Sequence, residues 1–227
     1  CGMFQGSKAL KERNYGSFTF DPTQIDFVLL SHAHIDHSGM IPKLYRHGFR
    51  RPIYSTAATA DLCEVMLPDS AHIQEMEVER KNRKFGRAGK PLITPIYTTE
   101  DAEGCVKLFS RASYGETLTI SPEITVRFQD AGHILGSSLI EIWINEDGQE
   151  TKLVFSGDVG NYNRPLMKDP TIIESADYLF LESTYGDRQH QTIADVKEQF
   201  RDIIVRTIGR QGNVIIPAFA VERTQDL

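Results

Sequence analysis

The nine residues Ser31-His32-Ala33-His34-Ile35-Asp36-His37-Ser38-Gly39 constrain this chain more than any other stretch. Three imidazoles and a carboxylate crowd into positions 32–37. A regular helix or strand would scatter such side chains, whereas a tight turn following a strand can aim them at one point. Neutral imidazole and carboxylate are both good zinc ligands. Packed together without a cation, they would be polar groups competing for partners. A polar surface loop and a metal-free acid–base cluster are the plainer alternatives.

Two distant segments extend the pattern. Asp130-Ala131-Gly132-His133 closes one predicted strand and Phe155-Ser156-Gly157-Asp158 closes the next. A single His or Asp at a strand end is usually structural. Two of them downstream of a His-rich turn point instead to a shared metal site, and Gly132 permits an unusual backbone beside the second ligand segment.

Strands and helices alternate around these segments. Asp26–Ser31 is a short apolar run and reads as a buried strand leading into the His-rich turn. Gly39–His47 reads as a helix, 52–55 as a strand, 56–83 as a helix broken or kinked at Pro68, and 100–110 as a helix. The period then changes. Strands are expected over 117–120, 124–131, 138–145 and 152–156, with Asn145-Glu146-Asp147-Gly148 as a hairpin turn. A strand over 176–182, a helix over 192–208, a strand over 212–217 and a final helix complete the reading. Such a pattern gives a layered α/β architecture with sheets inside and helices outside.

Composition narrows the function classes. No run of about 18 apolar residues is present, so no membrane span is expected, and residues 1–20 do not have the charged-then-apolar pattern of a signal peptide. A net charge of −6 makes the whole chain a poor electrostatic magnet for nucleic acid, although divalent ions would reverse the sign locally. The basic run Arg80, Lys81, Arg83, Lys84, Arg87 and Lys90 reads as a solvated loop or as a substrate-facing rim. Cys1, Cys63 and Cys105 form no metal-binding or disulfide pattern and fit free thiols in a reducing cytosol.

With His-x-His-x-Asp-His at 32–37, a Gly-His turn at 132–133 and a Gly-Asp turn at 157–158, the chain resembles the metallo-β-lactamase superfamily. The strings CGMFQG (1–6), HAHIDHSGMIPKL (32–44), AGHILGSS (131–138), FSGDVGNYNRPLMKDP (155–170), ADYLFLESTYGD (176–187) and PAFAVERTQDL (217–227) resemble its β-CASP ribonuclease branch. That resemblance implies a metallo-β-lactamase αββα sandwich, incomplete at both ends, over 1–190, and the start of a β-CASP α/β domain over 191–227. It implies two Zn2+ ions: His32, His34 and His133 on the first, Asp36 and His37 on the second, and Asp158 bridging. Asp36 and Glu182 take catalytic roles in this reading. Glu182 orients a His that protonates the leaving oxygen, although by itself it is equally a strand-end cap.

The implied activity is cleavage of single-stranded RNA with water activated by two metals, in the cytoplasm. Arg223 and Thr224, at the start of the last helix, are candidate RNA phosphate contacts, and a buried structural role for Arg223 at a domain seam is the equal alternative. The resemblance also allows a homodimer in the full-length form. The branch carries a supporting Asp just before the position of Cys1 and two downstream His residues, none of which falls in the chain, and His47, His72 and His190 do not match them. A protein about twice this length is therefore expected, and residues 1–227 alone should cleave RNA little. The competing readings are a glyoxalase-II-like thioesterase or lactamase, a non-catalytic RNA-processing subunit, and the DNA-processing β-CASP branch.

Overall fold

The computed structural model describes residues 1–188 and 193–225. These fall into two compact units, Cys1–Leu181 and Glu182–Leu227. The domain boundary expected between residues 190 and 191, and the position of His190, lie outside the described residues.

The first unit is built on two sheets. β1 (Val28–Leu29), β2 (Ile53–Thr56) and β3 (Phe109–Ala112) form a parallel sheet in that order. Parallel neighbours need crossovers, and helices supply them. Between β1 and β2 lie α2 (Ile35–Ser38) and α3 (Ile41–Arg46), and between β2 and β3 lie α4 (Ala57–Arg87) and α5 (Thr99–Val106). The short α1 (Lys8–Arg13) precedes them. On α4, Ala60, Cys63, Leu67, Ala71 and Val78 recur at helical spacing and are buried. Of these, Cys63, Leu67 and Ala71 pack with Ile41, Leu44, Phe49, Ile53 and Tyr97 into the larger core.

The second sheet runs β4 (Thr117–Thr119), β5 (Ile124–Asp130), β6 (Ser138–Glu146), β7 (Gln149–Phe155) and β8 (Tyr178–Phe180). β4 to β7 pair antiparallel and β8 pairs parallel to β7. The expected hairpin is present: Asp147 and Gly148 both take positive φ, 51° and 80°, between the paired Glu146 and Gln149. Both residues at φ > 0 make the primed turn that suits strand twist. A second core of Ala112, Val126, Phe128 and Ile140, packed with Leu29, Tyr54 and Ile142, joins the inner faces of the two sheets. Helices, three-stranded sheet and five-stranded sheet therefore stack as layers of the expected sandwich. The second unit contains α6 (Ile193–Gly209).

Five expectations are corrected. Helix α4 runs unbroken through Pro68. The proline deletes one hydrogen bond, from its own position to the exposed Glu64, whose carbonyl water can serve, while buried Leu67 and Ala71 hold the helix on either side. The basic run after residue 80 lies on this helix as far as Arg87 rather than in a loop, with Lys81–Glu77 and Arg83–Glu79 pairs four residues apart. Residues 109–110, expected to be helical, open β3, because pairing with β2 overrides their local pattern. Residues 212–217 are irregular: the described part of the second unit offers them no strand to pair with, and an unpaired strand has no ladder. Residues 220–225, expected to start a helix, are turns.

Candidate metal centre

Three turns at strand ends converge. The first leaves β1 after Leu30, which is still in the ladder through its N–H to the Tyr54 carbonyl. Ala33 is buried in the larger core and pins the turn. The Ser38 hydroxyl donates to the Ala33 carbonyl at 2.8 Å and contacts the His34 carbonyl at 3.0 Å, closing it. His32 is thereby driven inward and is fully buried, while His34 and His37 are half-buried and Asp36 is exposed on α2.

The second turn follows β5. Ser137 Oγ accepts from the N–H groups of His133 and Ile134 at 3.0 and 3.1 Å. The Thr56 and Thr59 hydroxyls both donate to the Gly136 carbonyl, at 2.6 and 2.8 Å, and tie this turn to the start of α4. The third turn follows β7. Gly157 sits at φ 53°, and a Cβ there would stand 2.7 Å from Ser31 Cβ, so a side chain is excluded on both counts. Ser138 N–H and its hydroxyl both donate to the Ser31 carbonyl at 2.9 Å, stitching the first turn to β6.

The result is one cluster. His32, His34, His133 and Asp158 each offer a ligand atom, and these atoms lie within 4.8 Å of one another. His133 Nε2 is 3.2 Å from His34 Nδ1. Asp158 Oδ2 is 3.6 Å from His133 Nε2 and 3.8 Å from His32 Nε2, and its Oδ1 is 3.1 Å from His37 Nε2. The carboxylate thus faces both His32/His133 and His37. The His37 and His32 rings lie 4.0 Å apart between centroids.

The protonation states suit a cation. Burial pushes His32 down to about 2, with the neighbouring His37 adding to the effect, so the ring is neutral at ordinary pH. The hydrogen bond from His37 holds Asp158 down to about 2 against the opposing effect of burial, so the carboxylate stays ionised. His32 Nδ1 is 3.1 Å from Ser31 Oγ, which fixes the ring, while its Nε2 is buried with no hydrogen-bond partner. A fully buried imidazole nitrogen left unsatisfied beside an ionised carboxylate and two more imidazoles is the donor set a divalent cation completes. The residues present fit a metal ion.

Of the residues singled out in the sequence, the structure brings together His32, His34, His133 and Asp158, with His37 against Asp158. Asp36 precedes His37 on α2 with its side chain exposed. Glu182, Arg223 and Thr224 belong to the second unit. Glu182 Oε2 accepts from Thr184 N–H at 3.3 Å, and the Thr224 hydroxyl donates to the Phe219 carbonyl at 2.5 Å. Arg223 is exposed in the turns that end the described chain. Sequence reasoning gave no role to Ser31, Ser137, Ser138, Thr56 or Thr59, whose hydroxyls and backbone hold the ligand turns. Ser31 stands directly before the first ligand and Ser137-Ser138 closes the His133 turn, but small polar residues at strand ends are too common to signal this alone.

A sequence profile described as the metallo-beta-lactamase superfamily domain matches residues 10–170. The whole chain aligns at 37% identity with Ribonuclease TTHA0252 of Thermus thermophilus, covering 47% of that protein. It aligns at 32% identity with transcription termination factor FttA of Methanococcus maripaludis, covering 34% of it. The chain therefore spans between a third and a half of the length of these curated relatives. Among solved structures, a subclass B3 metallo-beta-lactamase, MEM-A1, overlaps at 19% identity with a TM-score of 0.36, over 60% of this chain and 43% of that one. So loose an overlap carries no weight by itself.

Proposed function

Because the chain belongs to the metallo-beta-lactamase superfamily, we propose that it is the cation-holding part of a zinc-dependent ribonuclease acting on single-stranded RNA. The observation that carries this reading is the His32–His34–His133–Asp158 cluster with His37 on the far side of the same carboxylate. The names of the relatives, a ribonuclease and a transcription termination factor, support RNA as the substrate.

In this reading His32, His34 and His133 would hold one Zn2+ and Asp36 and His37 a second, with Asp158 shared between the two. Bound divalent ions supply water at a lowered pKa and neutralise charge on phosphate oxygens. The chain's own residues do the rest. Burial keeps His32 neutral and Ser31 Oγ fixes its ring, so that Nε2 faces the cluster. His37 keeps Asp158 ionised. Without cations, a chain of net charge −6 with an ionised carboxylate at the site would repel a phosphodiester, so substrate binding depends on the metals. Glu182 is assigned to orienting a proton donor for the leaving oxygen, and Arg223 and Thr224 to phosphate contacts.

The test uses Co2+-loaded protein, whose visible absorption reports the ligands around the ion. A non-cleavable single-stranded RNA should shift the spectrum, and the shift should vanish in His34→Ala. A shift with a thioester such as S-lactoylglutathione, and none with RNA, would replace the ribonuclease reading with a thioesterase. Among the described residues, no helix is long and apolar enough to cross a membrane.

A further inference from the structure

Gly2 lies outside every ligand motif, yet it touches one. A Cβ built on it would stand 1.4 Å from the Asp36 carbonyl oxygen, 2.2 Å from the Asp36 carbonyl carbon and 2.9 Å from the His37 nitrogen. All three atoms are backbone, so no rotamer change relieves the overlap. The strip is also fastened on both sides of this contact. Met3 N–H donates to the Ile35 carbonyl and Met40 N–H donates to the Cys1 carbonyl, each at 3.0 Å. Beyond it, Phe4 and Asn14 exchange two hydrogen bonds, at 2.8 and 2.9 Å. Met3 packs against the larger core, and a Cβ on Gly39 would reach Met3 Cβ at 3.1 Å. Residues 1–3 therefore lie flush along the back of α2, the short helix that carries Asp36 and His37.

We propose that Gly2 is a positioning residue for the second cation. Its bare backbone lets the strip press against the Asp36–His37 peptide and fixes where those two side chains project. The inference rests on the two-cation reading above. The atoms nearest position 2 belong to the Asp36–His37 peptide, and of the first cation's ligands only His34, the residue that caps α2, shares that helix, so the effect falls mainly on the second site. Any side chain at position 2 must push the Asp36–His37 peptide away by well over an ångström to reach ordinary contact, while ligand sites tolerate about 0.5 Å.

The experiment is calorimetric titration of the metal-free chain with Zn2+, together with Co2+ absorption spectra, for wild type, Gly2→Ala and Gly48→Ala. Gly48, at φ 100° and against Thr23, controls for loss of stability away from the ligand turns. Wild type should take up two equivalents. Gly2→Ala should keep the first and bind the second about 10–100-fold more weakly, the range seen when support of a ligand is lost, with one set of cobalt bands altered. Gly48→Ala should match wild type. Unchanged second-site binding in Gly2→Ala, or equal weakening of both sites, overturns the proposal. Fewer than two equivalents in wild type sinks the two-cation reading and this inference with it.

Discussion

Replacing His32 by Leu should leave the metal-free protein close to wild type in stability while abolishing its response to zinc. His32 is fully buried, and its Nε2 lacks a hydrogen-bond partner, with Asp158 Oδ2 3.8 Å away. An unsatisfied buried polar atom costs about 1–3 kcal/mol, and Leu removes that cost. Against this stands the contact between Nδ1 and Ser31 Oγ at 3.1 Å, a bond of about 1 kcal/mol. Ser31 also lines an open cavity with His37 and Gly157, so water can take over its hydroxyl. Imperfect shape costs up to about 1.5 kcal/mol. The sum runs from a gain of about 2 to a loss of about 1.5 kcal/mol, where damage to an ordinary buried side chain costs about 2–5 kcal/mol. The ring is neutral at ordinary pH, so no charge is lost. With zinc at a hundred times its dissociation constant, wild type gains about 2.7 kcal/mol and the variant gains little. Urea melts in chelator and in zinc measure both quantities. A loss above about 3 kcal/mol in chelator, or a zinc response equal to wild type, would refute the reasoning that this histidine is held ready for a cation.

Three further outcomes follow from the geometry. Glu141, almost fully buried, accepts from Arg127 at 2.7 Å and pairs with Lys152 at 2.8 Å. Glu141→Ala should cost about 2–4 kcal/mol in thermal or urea unfolding, below the loss for a fully buried pair because both cations reach solvent. Burial acts to raise the Glu141 carboxyl, but hydrogen bonds from Arg127, Lys152 and Gln129 prevail and lower it. Its stability contribution is therefore present above the unfolded carboxyl pKa and lost as pH falls through the lower folded value. A wild-type acid titration that steepens below the ordinary Glu range, and flattens in Glu141→Ala, checks the sign. Pro68→Ala restores one hydrogen bond inside α4 and should stabilise the protein by about 1–3 kcal/mol, and a lowered melting temperature would contradict this. Gly157→Ala, strained at φ 53° and blocked by Ser31, should cost about 1–3 kcal/mol and weaken zinc binding, because Asp158 is the next residue.

Much of the site was legible because its chemistry is concentrated. The ligand types sit in one hexapeptide and two strand-end turns, and the strands before those turns announce themselves by their apolar runs. The hairpin at Asp147-Gly148 was equally plain, since only a few residue pairs accept that backbone. The failures share a cause. Phe109-Ser110-Arg111-Ala112 has no strand period of its own and becomes β3 through its pairing with β2. Residues 212–217 have the composition of a strand but, within the described unit, no partner to pair with. Pro68 is tolerated because core contacts on both sides outweigh one missing bond. The contact of Gly2 with the Asp36 carbonyl is a fact of three dimensions that no local pattern announces.

The central claim, that side chains distant along the chain converge on a pair of divalent cations, is tested most directly by zinc K-edge X-ray absorption on the zinc-loaded protein. The account predicts imidazole scattering at about 2.0–2.1 Å and a metal–metal vector at about 3.5–4 Å, with the imidazole signal reduced in His133→Ala. A shell of oxygen scatterers alone, unchanged by that substitution, would contradict it.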